Sequence, residues 1–93
     1  MQPPAFIDGA RVIEWAWSDI PFGVVRYSDG SGIAAQIHGL ALCQYDGHRG
    51  FYRFSCNADW ECEQDSDHES LELAKSEIPT QYRNVQAIWH SMP

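Results

Sequence analysis

From Asp59 to Glu69 every odd position is acidic: Asp59, Glu61, Glu63, Asp65, Asp67 and Glu69, with no Lys or Arg among them. The positions between begin with Trp60 and Cys62. Acids alternating with Trp and Cys are what a strand shows when one face meets water and the other meets a core. The stretch before it, "FYRFSC", alternates as well, so the two read as a hairpin turning at Asn57–Ala58–Asp59.

Other turn signals divide the rest of the chain. "RVIEWAW" reads as a strand with Ile13, Trp15 and Trp17 on one side, and "SDIPFG" ends it. "VVRYSDGSGIAA" is a hairpin about Asp29–Gly30, whose second strand is predicted to run from about Ile33 to Tyr45 and to stop at Asp46–Gly47. "SDHESLELAKSEI" is the one helix, capped by Ser66 or Asp67 and closed by Pro79, and "VQAIWH" is a last short strand. A two-residue loop at Asp46–Gly47 would pair Ala41 with Tyr52. A loop over residues 57–59 would then set Cys56 opposite Trp60 and Arg53 opposite Glu63.

This register collects Ile37, Ala41, Cys43, Tyr52, Phe54, Cys56, Trp60 and Cys62 on a core face, which the helix covers with Leu71, Ala74 and Ile78. The predicted fold is α+β: a twisted antiparallel sheet of five or six strands with one helix packed on one face, forming one domain over residues 1–93.

Bulk chemistry narrows the function. A net charge of −7 argues against binding nucleic-acid phosphates and favours basic partners. No stretch approaches the roughly 18 apolar residues of a membrane helix, and "MQPPAFIDGARVIEWAW" does not resemble a signal peptide. Cys43, Cys56 and Cys62 are odd in number, so free thiols in a reducing cytoplasm are the simpler reading.

Specific chemistries fit poorly. A calcium loop starting at Asp59 needs Gly at its sixth position and Glu at its twelfth, where Gln64 and Ser70 stand. Cys56, Cys62 and His68 are too widely spaced for a zinc knuckle. His38, His48, His68 and His90 leave a Cys–His pair open to counting alone, but no nucleophile elbow, phosphate loop or His-Glu-x-x-His helix is present. No catalytic residue, metal or cofactor is assigned.

The less expected feature is apolar. Leu40 and Leu42 share the predicted wet face with His38, Phe51, Arg53 and the acids. Either the strand bearing Trp15 and Trp17 or a tail covers them, or they form an exposed patch rimmed by His38, Arg53, Glu61 and Glu63, with the anatomy of a protein interface.

Residues 51–89 also carry a Tyr-x-Phe strand (Tyr52, Phe54), then Cys56, Asp59 and Trp60, then Asp65, His68, Glu69 and Ser70, then Ala74, Lys75 and a closing Trp89. This pattern resembles a family of small bacterial proteins, with Asn57 departing from the family's usual acid. The resemblance implies a hairpin–helix–strand fold and a bacterial origin, and transfers no activity.

The expectation is therefore a small acidic, non-enzymatic, cytoplasmic protein-binding module. Its contact residues are Leu40, Leu42, Phe51, Arg53, Glu61, Glu63, Asp65 and His68. A basic partner such as a nuclease-type toxin fits the charge, in the manner of an inhibitor or immunity protein. The alternatives are a small metal- or ligand-dependent enzyme using His68 with nearby carboxylates or Cys62, and a homodimeric structural protein.

Overall fold

The computed structural model describes residues 1–93. The strands are β1 (Phe6–Ile7), β2 (Ala10–Trp17), β3 (Gly23–Arg26), β4 (Ile33–Ile37), β5 (Gly39–Gln44), β6 (Phe51–Cys56), β7 (Cys62–His68) and β8 (His90–Ser91), with one helix, α1 (Leu71–Ser76), between β7 and β8. The main sheet runs β1-β2-β5-β6-β7 with β8 also against β2, while β3 and β4 form a separate ribbon. Every pairing is antiparallel. This is the expected α+β architecture. No helix is long and apolar enough to cross a membrane.

The local chemistry explains several boundaries. Asp8 and Gly9 both have positive φ (49° and 82°) and join Ile7 to its partner Ala10, a two-residue turn of the kind Asp-Gly forms. The Asp-Gly pair is the local signal for this hairpin, which adds β1 to the expected strands. The long strand expected from Ile33 to Tyr45 is instead broken at His38, so β4 leaves with the ribbon and β5 stays in the sheet.

Both predicted hairpin registers are corrected. Cys43 pairs with Tyr52 and Ala41 with Phe54, because the loop spans residues 45–50 rather than two residues. That slip of two keeps every side chain on its expected face. The next hairpin slips by an odd number. Arg53 pairs with Ser66, not Glu63, and Cys56 with Cys62, with a bulge between Ser55 and Cys56. The cause is Asn57. Its Oδ1 accepts from the backbone N–H groups of Asp59 (2.9 Å) and Glu61 (3.0 Å), and its own N–H donates to Glu61 O, which builds a wider loop. Asp65 and Asp67 consequently stand opposite Phe54 and Tyr52, while Gln64, Ser66 and His68 share the face of Arg53.

Two apolar clusters lie on opposite faces of the sheet. One gathers Ile7, Ala10, Val12, Ala41, Cys43, Phe54, Cys56 and Trp60, with Trp15, Trp17, Tyr52 and Cys62 partly buried against it. Most of the predicted core face is here, except Ile37. That residue joins Ala16, Phe22, Leu40, Ile78 and Tyr82 in the second cluster, because the break at His38 turns β4 away. The first cluster is closed by the curl of β1 and β2, not by the helix.

The helix is shorter than predicted and on the other face. Asp65 to His68 remain paired on β7, so the N-cap falls at Ser70, whose hydroxyl accepts from the Leu73 N–H. From there Arg53 Nη1 donates to the Ala74 carbonyl at 2.8 Å, and Lys75 pairs with Glu14 of β2 at 2.7 Å. These contacts lay α1 across the face that holds Leu40, Leu42 and Arg53.

Candidate functional site

Exposure divides the predicted contact residues into two groups. Leu40 and Leu42 are 0% exposed and Arg53 is 4% exposed. The apolar patch proposed from the sequence is therefore closed, and these three cannot meet a partner from the folded surface. The cover is α1 and the segment after it, not the Trp15/Trp17 strand: Leu40 packs with Ile78 and Tyr82, and Arg53 is bonded to the Ala74 carbonyl. Phe51 is half-buried, paired with His68 across β6 and β7.

Glu61, Glu63 and Asp65 are all exposed, as are Asp59, Asp67 and Glu69. Glu61 stiffens the loop by accepting from Asn57 Nδ2 at 2.9 Å. Glu63, Asp65 and Asp67 lie on β7, the terminal strand of the sheet, whose outer backbone edge makes no ladder. The acids therefore line a strand that retains unpaired N–H and C=O groups.

His68 belongs to a different environment. Its side chain is 7% exposed, and its Nδ1 lies 2.8 Å from Glu77 Oε1. Its Nε2 lies 2.8 Å from Ser66 Oγ and 3.4 Å from Arg53 Nη1. Guanidinium nitrogens only donate, so these partners assign Nε2 as an acceptor and place the ring proton on Nδ1, donating to Glu77. Ser66, His68 and Glu77 are thus linked as hydroxyl, imidazole and carboxylate, an arrangement able to hold a proton in place. Ser66, expected as a helix cap, instead stands on β7, and neither its approach to His68 nor that of Glu77 has a local signature, because their meeting depends on the register of β7 and the turn into α1. Beside them a cleft of about 490 Å³ is lined by His48, Tyr52, Asp67, His68, Glu69 and Glu77, among others.

The thiols are poor nucleophiles. Burial pushes Cys62 up to about 11 and Cys43 up to about 12, and raises Cys56 too. No group of three His, Cys, Asp or Glu side chains is placed to share a metal ion. A thiol that ionises less readily folded than unfolded contributes stability that is whole below the usual value of 9.0 and is lost as pH climbs toward 11–12. The melting temperature should therefore fall between pH 9 and pH 11, and the fall should be shallower in Cys62→Ser. An equal slope in that variant would show that Cys62 titrates as it does unfolded.

No protein-family model, curated protein or solved structure matches the chain, so the site is read from its own geometry.

Proposed function

We propose that this chain is a non-enzymatic protein-binding module whose docking edge is β7, and that its partner is a basic protein. The observation that carries the reading is that β7 is an open edge of the sheet on which three of the four exposed residues, Glu63, Asp65 and Asp67, are acidic, the fourth being Gln64. An open edge offers a ready ladder of backbone hydrogen bonds, and side chains on alternate positions supply the specificity. Two copies pairing through β7 would set acid against acid, which is destabilising. A strand or face rich in Lys and Arg meets no such penalty, and a net charge of −7 steers it in. Neutralising a basic enzyme by blockage is the form of this function that the charge favours. A cytoplasmic setting belongs to the same proposal, supported by the unpaired thiols of Cys43, Cys56 and Cys62.

The test is the variant Glu63→Gln/Asp65→Asn/Asp67→Asn, which keeps shape and removes three charges. Its melting temperature should match or slightly exceed that of the wild type, since like-charge repulsion is relieved. Association with a basic protein captured by the wild type should slow by about tenfold or more and lose most of its salt dependence. Unchanged association kinetics in the variant would refute β7 as the docking edge.

A further inference from the structure

Arg53 is buried without a counter-ion. It is 4% exposed, yet no carboxylate lies within 4.0 Å of its guanidinium. Nη1 is engaged by the Ala74 carbonyl at 2.8 Å and by His68 Nε2 at 3.4 Å. Nε is sealed from solvent and has no acceptor, and Nη2 makes no hydrogen bond within the protein. Glu77 makes no ion pair with the guanidinium: its hydrogen bond goes to the His68 ring, and its charge reaches Arg53 only across space, a smaller effect than the desolvation that disfavours the cation. A desolvated cation with unmade hydrogen bonds is costly unless an anion joins it.

The unused groups are the informative ones. Nε and Nη2 lie along one side of the planar guanidinium, and their parallel N–H bonds form the fork that matches the two oxygens of a carboxylate or phosphate. Arg53 also lines a cleft of about 220 Å³ whose other walls include Ser55, Gln64, Ser66, Gln81 and Tyr82. The hydroxyls of Ser66 and Tyr82 already donate, to His68 Nε2 and Gln64 Oε1. Ser55 Oγ has no partner within the protein and Gln81 Nε2, 3.5 Å from Gln64 Oε1, keeps a second N–H, so Ser55 and Gln81 retain donors for an oxyanion. The one acid on the wall, Asp65, is exposed to solvent, which weakens its repulsion. Ser55 precedes the bulge on the same strand and face as Arg53, and is 2% exposed.

We propose that this cleft binds a small oxyanion, a free phosphate or carboxylate group, along the Nε–Nη2 side of Arg53, with Ser55 and Gln81 as further donors. The site borders β7 at Gln64, Asp65 and Ser66, but its anion contacts come from Arg53, Ser55 and Gln81, so it does not depend on a protein partner at β7.

The experiment follows the Arg53 Nε–H resonance of ¹⁵N-labelled protein during titration with inorganic phosphate, with acetate, and with sodium chloride at matched ionic strength. A saturating shift is expected with phosphate or acetate and not with chloride, and the anion that produces it names the ligand class. The melting temperature should rise by about 5 °C or more at tenfold excess over the dissociation constant. Arg53→Gln should abolish the effect. Because that variant also loses the bond to Ala74, Ser55→Ala and Gln81→Ala provide the folded controls, each expected to weaken binding several-fold with little change in melting. An Arg53 Nε–H signal that stays still, or that moves equally with chloride, overturns the proposal whatever the outcome at β7.

Discussion

Trp60→Ala should cost about 3–5 kcal/mol and lower the melting temperature by more than about 12 °C. Trp60 is only 6% exposed, and its ring packs against Trp15 (6.3 Å between centroids) and Trp17 (5.6 Å). It does this from a loop, at φ 61°, a conformation that bulky side chains rarely adopt. Packing of the ring holds the backbone there. Gly39 makes the packing feasible: a Cβ on it would lie 2.4 Å from Trp60 Cζ3 and within 2.8 Å of two further ring atoms. Gly39→Ala should therefore cost roughly 1–3 kcal/mol by overpacking. The cost should largely vanish in the Trp60→Ala background, a coupling that chemical denaturation of the four proteins would measure. Additive effects would mean that the ring and the glycine do not determine each other's place.

The second large effect belongs to the other face. Phe22 is 0% exposed in the cluster with Ile37, Leu40, Ile78 and Tyr82. Its N–H donates to Ile37 O and its carbonyl accepts from the Asn84 N–H, so it joins the β3–β4 ribbon to the segment after α1. Phe22→Ala should remove about 3–5 kcal/mol, from a total of roughly 5–15 kcal/mol for a chain of this size. The loss should also loosen the cover over Leu40. Faster hydrogen exchange in residues 78–85 at a temperature where β5 and β6 stay protected is the expected result. Uniform loss of protection would place the ribbon and the sheet in one cooperative unit.

Much of the fold was legible because it is written in alternation. The shared side of Trp15 and Trp17, the three central strands, the ribbon turn at Asp29–Gly30 and the burial of Trp60 follow from period-two patterning and Gly-containing turns. A bulge between Val12 and Glu14, however, puts Val12 rather than the expected Ile13 on the side of those two Trp. Loop length was not legible in the same way. Asn57 organises its loop through two bonds to its side-chain oxygen, and nothing in residue type alone distinguishes that loop from a shorter one. That one odd slip moved Asp65 and Asp67 to the face of Tyr52 and Phe54, and brought Ser66 and His68 beside Arg53. The acids are exposed nonetheless, because they lie on the outermost strand of the sheet. Leu40 and Leu42 lie under the helix because α1 docks on their face and not on the face richer in Trp and Cys. That other face is filled by β1 and β2, joined through the Asp8–Gly9 turn. The buried, unpaired state of Arg53 follows from this packing and has no local signature.

The most direct test of β7 as the docking edge is amide hydrogen exchange, comparing the free protein with its complex with a captured basic protein. New protection concentrated in Cys62–His68, with β1 and β8 unchanged, is the expected result. Protection confined to the β3–β4 ribbon or to the β1/β8 edge, with β7 exchanging as in the free protein, would contradict it.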